Sequence, residues 1–220
     1  MRRHRFFSSA AIVAWLAMAP VLSASSANAT VLYDNTSSAA TNGDPIVQSL
    51  YDSFSTGSQG LFLSSVTVLL YGVANTIADG GLISALLYDD SSGMPNLPKA
   101  NFGTISDSSI TSTNGAAPTA ITLTTSVPFA LAPNARYWVG LADGGGTNAT
   151  SALWAYDGGP GGVGVATEFY YNTFNGSPFP NSGGAYLMQV SAVPEPTSMG
   201  LLLTGLSGVI LAGYARRKAL

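Results

Sequence analysis

Residues 30–192 consist of short apolar or alternating runs separated by turn-forming residues, and this pattern constrains the fold most strongly. In the run 61–71, every second residue from Phe62 to Leu70 falls on one face, which predicts a long strand with one buried side. In the run 82–88, apolar residues occupy both sets of alternating positions, which is typical of a central strand buried on both faces. The predicted strands are 30–33, 46–54, 61–71, 82–88, 102–105, one or two within 120–131, 136–141, 152–156, 165–171 and 185–190.

Turn chemistry marks the boundaries between these runs. The stretch from Asp89 to Pro98 is predicted as a loop, and Pro128 predicts an edge or a break. Four dipeptides have the composition of hairpin turns, which need positive φ: Asp79-Gly80, Asp143-Gly144, Asp157-Gly158 and Asn175-Gly176. About ten short strands predict an all-β fold, an antiparallel β-sandwich or jelly roll.

The first 29 residues have the parts of a secretory signal peptide. Three arginines within the first five residues precede an apolar run at 6–22 and an A-x-A cleavage site at Ala27 and Ala29. An uncleaved membrane helix is the alternative, but small residues follow the apolar run. We therefore expect export through the secretion machinery and a mature chain that begins at Thr30.

A stiff tripeptide opens the last segment of the chain, 193–220. Pro194 and Pro196 flank Glu195, and two prolines fix φ and remove two backbone donors. We therefore expect an extended, accessible tripeptide that joins neither a helix nor a central strand.

The residues after the tripeptide predict a single membrane span. Residues 197–215 carry no charge and are mostly apolar. A helix of this length spans about 28 Å, close to the thickness of a bilayer core. Arg216, Arg217 and Lys218 then form a basic stop, which stays cytoplasmic by the positive-inside rule.

Together, these three parts resemble the PEP-CTERM sorting signal of Gram-negative bacteria. The tripeptide, the Leu/Gly-rich span and the basic terminus match that signal in order and spacing. The resemblance implies recognition by an exosortase, a membrane cysteine transpeptidase that cuts near the tripeptide. The protein would then be held transiently in the inner membrane before transfer to the cell surface or the extracellular matrix. The alternative is a permanent membrane anchor preceded by an ordinary linker.

The predicted body, 30–192, is acidic and lacks the usual catalytic side chains. Lys99 and Arg136 are its only cations, against nine aspartates and Glu168, so its formal charge is −8. Such a body repels nucleic acid. The only histidine is His4, and the chain has no cysteine. His- and Cys-dependent nucleophiles and the usual zinc, copper and haem sites are therefore excluded. We predict no enzyme activity, no catalytic residues and no cofactor.

Two kinds of chemistry that need only carboxylates stay open. A glycan hydrolase would pair Glu168 with Asp157 or Asp143. The alternative is that these are solvated strand and turn residues. Calcium would need loop oxygens at 89–90 or 143–146, although neither stretch has EF-hand spacing. Aspartates that stabilise turns are the simpler interpretation of both stretches.

Aromatic residues suggest a binding function as the main alternative. Trp154 and Tyr156 lie two apart on one predicted strand and therefore share a face, where they could stack on an exopolysaccharide. Trp138 and the pair at 170–171 are further candidates. The alternative is that Trp138 and Trp154 fill the core.

The body also resembles the choice-of-anchor domains, most closely type R. The segments that carry this resemblance are 31–35, 53–54, 63–70, 87–90, 93–95 and 131–141. It implies a secreted β-rich module and no activity. We therefore expect three parts: a signal peptide at 1–29, a β domain at 30–192 and a sorting signal at 193–220. The expected function is that of a non-enzymatic surface or matrix protein.

Overall fold

The computed structural model describes residues 28–40, 42–47, 49–73, 80–146, 152–158, 170–174, 177–180 and 184–194. For 157–158, 170–174 and 177–180 it describes only the backbone. The predicted membrane span at 197–215 and most of the predicted signal peptide lie outside these ranges. Within these ranges, no helix combines the length and the apolar character needed to cross a membrane.

The described residues form an all-β structure with antiparallel strand pairs, as the sequence predicts. The strands are β1 Thr30–Asp34, β2 Asn42–Pro45, β3 Leu50–Ser55, β4 Leu61–Gly72, β5 Gly81–Ser91, β6 Met94–Ser106, β7 Thr119–Leu123, β8 Phe129–Leu131, β9 Arg136–Gly146, β10 Ala152–Gly158, β11 Tyr170–Phe174, β12 Ser177–Pro180, β13 Ala185–Tyr186 and β14 Met188–Pro194. A short 3-10 helix, Asp107–Ser109, follows β6.

The strands form two sheets. The eight-stranded sheet is built around β4 and β14: β14 lies between β1 and β4, and β4 also pairs with β7, β8 and β10. β10 pairs in turn with β2 and β13. The six-stranded sheet has the order β12-β11-β3-β9-β5-β6.

One hydrophobic core receives side chains from both sheets, an arrangement consistent with a β-sandwich. Val66, Val68 and Val190 come from the eight-stranded sheet, and Leu87 and Val139 from the six-stranded sheet, and all five are fully buried. Burying a side chain of this size contributes about 1.5–3 kcal/mol. Because the chain has no cysteine, this core is not reinforced by disulfides.

The predicted alternation of β4 is correct only in its second half. Val66, Val68 and Leu70 face the core as expected, but Leu61 and Leu63 are the core residues of the first half. The ladder between β4 and β14 contains an irregularity at this point. A bulge of this kind inserts one residue, and the side-chain parity then switches along the strand.

The predicted loop from Asp89 to Pro98 is wrong, because β5 and β6 form a continuous hairpin there. Only Ser92 and Gly93 lie between the two strands, and both have positive φ, at 56° and 80°. Two consecutive residues with positive φ suit the twist of a tight hairpin. The prolines of β6 are tolerated because β6 is an edge strand, which does not need every N–H group.

Other local predictions have mixed outcomes. The break at Pro128 is confirmed, since β7 ends before it at Leu123 and β8 begins after it at Phe129. Asp143-Gly144, predicted as a turn, lies inside β9. β2 was not expected from its sequence, N-G-D-P. It forms by pairing with β10. The two strands approach each other so closely that a Cβ on Gly43 would lie 3.0 Å from the Leu153 Cβ.

Candidate functional site

The first and last strands of the described body run side by side. Thr30, the first residue of β1, pairs with Ala192 of β14. Because the two strands are antiparallel, the start of β1 and the end of β14 lie at the same end of the sheet. The predicted N-terminal cut therefore lies close to Pro194, the first residue of the predicted sorting motif.

Beyond Ala192, β14 continues into the predicted sorting signal. Val193 and Pro194 pair with Phe62 and Leu61 of β4, and no β1 residue is paired with either of them. Pro194 is exposed and Val193 is half-buried. The first residue of the motif is thus part of the sheet.

This placement corrects one prediction about the tripeptide. Pro194 was expected to stay out of a central strand, yet it is the last residue of β14, a strand with a neighbour on each side. The sheet accommodates it because β1 pairs with β14 only as far as Ala192. A proline without an N–H group costs no ladder hydrogen bond on an unpaired side.

Of the other predicted processing residues, Ala29 is exposed and immediately precedes β1. The remaining predicted processing residues lie outside the described part of the chain: Ala27, Glu195, Pro196, Arg216, Arg217 and Lys218.

Asn35, directly after β1, ties the N-terminal strand to the C-terminal strands. Its buried side-chain amide donates hydrogen bonds to the Tyr186 carbonyl at 2.9 Å and to the Tyr33 hydroxyl at 3.1 Å. Its amide oxygen accepts the Met188 N–H at 2.8 Å. One polar side chain therefore continues the pairing where the ladder between β1 and β14 stops.

Trp154 does not form the predicted glycan platform. Its side chain is fully buried in the core, stacks on Tyr186 with ring centroids 4.7 Å apart, and donates its indole N–H to the Leu187 carbonyl at 3.1 Å. Tyr156, half-buried, packs against the same core, so the two side chains share a face as predicted. That face is turned inward, and the ring of Trp154 offers no surface on which a sugar could stack.

A different aromatic cluster lies on the outer face of the six-stranded sheet, the face opposite the core residues of β9. Half-buried Tyr51 of β3 and Tyr88 of β5 meet edge to face, with centroids 5.3 Å apart. Gly140 of β9 lies beneath them, and a Cβ there would be 2.6 Å from Tyr88 Cε2 and 2.8 Å from Tyr51 Cε1. The two rings can cover the sheet because position 140 has no side chain.

Charged groups border this Tyr51–Tyr88 pair. Trp138, opposite Tyr88 in the ladder, is fully buried and donates its indole N–H to Asp90 Oδ1 at 2.9 Å. Arg136 Nη1 lies 3.9 Å from the same Asp90 oxygen. Lys99 Nζ lies 2.8 Å from Asp89 Oδ2. Both cations of the predicted body are therefore paired with carboxylates, and Arg136 lies against the carboxylate that also accepts the Trp138 hydrogen bond.

The ionisation of this cluster follows from its contacts. Burial raises the pKa of Tyr88 to about 12, and the neighbouring Tyr51 adds to the effect. The hydrogen bond from Lys99 lowers the pKa of Asp89. At neutral pH Tyr88 is therefore a neutral phenol, and the two ion pairs add no net charge.

The carboxylates considered for calcium or catalysis engage in local contacts. Asp90 Oδ2 accepts the Gly93 N–H at 3.2 Å, and Asp89 Oδ1 accepts the Leu97 N–H at 2.7 Å. Asp143 is exposed and accepts the Gly145 N–H at 2.9 Å. Among the described residues, no three acidic or histidine side chains are grouped to hold a metal. Glu168 and the side chain of Asp157 lie outside the description.

Sequence reasoning missed Tyr51 and Tyr88. Each lies in a predicted strand or beside a predicted loop, but only the pairing of β3 and β5 with β9 brings them together. The available signal was Gly140, a glycine inside an apolar strand, since such a glycine marks a place where another group approaches the backbone closely.

Comparison with known proteins found no protein-family model and no curated protein that matches this chain.

Proposed function

We propose that this chain is a non-enzymatic exported protein of a Gram-negative bacterium, sorted to the cell surface or extracellular matrix by an exosortase. One structural observation supports the proposal: β1 begins one residue after Ala29, and β14 runs into Pro194 beside it. The segments on either side would be a removable signal peptide and a C-terminal membrane helix at 197–215.

The shared position of the two ends fits two membrane attachments on one side of the domain. Before processing, the signal peptide and the C-terminal helix would enter the bilayer beside each other, since Thr30 pairs with Ala192. The acidic body would then stand outside the bilayer, with the basic stop on the cytoplasmic side.

The test replaces the tripeptide in the full chain by Ala-Ala-Ala and expresses it with the exosortase of its own cell. The wild type should lose its C-terminal segment and leave the inner membrane, whereas the variant should stay there intact. Pro128→Ala, at an exposed position before β8, is the matched control and should be processed normally. If the wild type stays embedded with its tail intact, the tail is only an anchor.

The second candidate function is exopolysaccharide binding, and the Tyr51–Tyr88 pair favours it. Partly exposed aromatic rings offer apolar surfaces to sugars, while phenol hydroxyls and paired charges offer hydrogen bonds. Because the neighbouring charges are already paired, a neutral, polyhydroxylated chain suits this face better than a charged one. This site replaces the one predicted at Trp154 and Tyr156.

A glycan array with the double variant Tyr51→Ala and Tyr88→Ala tests this second function. Binding of neutral polysaccharides by the wild type should be lost in the double variant and kept in Leu97→Ala. Leu97 is a suitable control because it is exposed on the neighbouring edge strand β6. Equal binding by the wild type and the double variant would remove this face from consideration.

A further inference from the structure

The last residues of β14 combine two requirements that conflict. As part of the predicted sorting motif, Pro194 has to be reached by the processing enzyme. As part of the sheet, it pairs with Leu61, and Val193 pairs with Phe62.

The predicted membrane span begins only three residues after Pro194, and this short spacing sharpens the conflict. Only Glu195 and Pro196 separate Pro194 from the predicted membrane span at 197–215. The three residue steps from Pro194 to Thr197 can reach at most about 10 Å, at about 3.3–3.6 Å per step. If residues 197–215 span the membrane as proposed, Pro194 lies at most about 10 Å from the start of that span, and an enzyme has little space between the sheet and the membrane in which to enclose the tripeptide.

The pairing of β14 is weaker at its last two residues than at Ala192. Val193 and Pro194 have a paired neighbour on β4 only, and proline donates no hydrogen bond. Ala192 is different, since it is fully buried in the core and paired with both Thr30 and Leu63. Fraying of strand ends costs little, whereas opening core positions costs up to the global stability.

We propose that the exosortase binds its motif only after Val193 and Pro194 separate from β4, and that Ala192 is the point where this opening stops. The inference rests on the proposed function. The end of β14 then acts as a gate that exposes the motif while the domain stays folded, and processing requires no linker between the domain and the membrane.

A reversible disulfide across the gate tests the proposal, because the natural chain has no cysteine. Val193 and Phe62 are directly paired and half-buried, and paired Cα atoms in an antiparallel sheet lie about 4.5–5.5 Å apart, within the range of about 4.4–6.8 Å that disulfides span. The full chain with Val193→Cys and Phe62→Cys should form the bond in an oxidising compartment. We expect removal of the C-terminal segment to slow at least tenfold, and a reductant to restore it.

The control carries Thr67→Cys and Gln189→Cys, which joins the same two strands away from the gate. It should be processed at the wild-type rate whether oxidised or reduced. Wild-type processing of the oxidised gate variant, or equal slowing in both cross-linked variants, would overturn the gate while leaving sorting intact. A wild type that is never processed removes the proposed function, and the gate with it.

Discussion

Trp154 and Trp138 are both fully buried, yet the regions around them are built differently. Trp154 lies between the sheets, stacked on Tyr186 and hydrogen-bonded to a backbone carbonyl. Trp138 lies on the opposite side of its sheet and donates to a carboxylate that also faces Arg136. The first region joins the two ends of the body, and the second organises a surface. Equal burial of a side chain therefore does not imply an equal role.

The largest effect is expected in the region of the first tryptophan. Trp154→Ala removes a buried ring from the core and leaves the Leu187 carbonyl without its indole donor. Truncation of a buried aromatic side chain typically costs about 3–5 kcal/mol. Denaturant unfolding of the full chain in detergent measures this loss. A cost below 1 kcal/mol would show that Trp154 is not part of a packed core.

Asn35→Ala should produce the next largest effect, because it removes the side chain that joins β1 to the C-terminal strands. Buried groups of Tyr186 and Met188 lose their partner, at a cost of about 1–3 kcal/mol. The same unfolding experiment measures it. Asn114→Ala is the control, since the Asn114 hydrogen bond is exposed, and it should change stability by less than about 0.5 kcal/mol. Equal effects of the two variants would contradict the proposed tie.

Gly140→Ala tests the outer face. A methyl group at position 140 would clash with both tyrosine rings, at 2.6 Å from Tyr88 Cε2 and 2.8 Å from Tyr51 Cε1, and overpacking of this kind costs about 1–3 kcal/mol. In a Tyr88→Ala background the penalty should fall, because one of the two rings is then absent. A double-mutant cycle measures this coupling. Additive effects would mean that the rings move aside freely.

The smallest effect concerns pH. The pKa of Tyr88 is raised from 10.0 to about 12 in the folded chain, so its contribution to stability is complete below about pH 10 and is lost as the pH rises toward 12. Wild-type stability should therefore fall more steeply than that of Tyr88→Phe over this range. Denaturation midpoints at several alkaline pH values measure the two slopes. Parallel slopes would indicate that Tyr88 titrates as an exposed phenol does.

The fold class was predictable because short runs and turn residues are local signals. The strands β1, β5, β9 and β10 are found near their expected positions. The β5–β6 hairpin was not predicted, because edge strands tolerate the prolines and aspartates that usually indicate loops. β2 was missed for a related reason: its turn-like sequence becomes a strand only through pairing with β10.

The candidate sites show the same limit. The sequence identifies Pro194 as part of a motif, but its pairing with Leu61 depends on residues more than 130 positions away. The spacing of Trp154 and Tyr156 predicts a shared face and not which way that face points. The Tyr51–Tyr88 pair is assembled by three strands and a glycine, and no local pattern contains that information.

The most direct test of the central claim is the intact mass of the protein recovered from the surface or matrix fraction of its own cells. Export and sorting predict a chain that begins at Thr30 and has lost the apolar span at 197–215 and the basic stop after it. A mass that includes residues through Leu220, found only in the inner-membrane fraction, would contradict sorting and leave a membrane-anchored β domain.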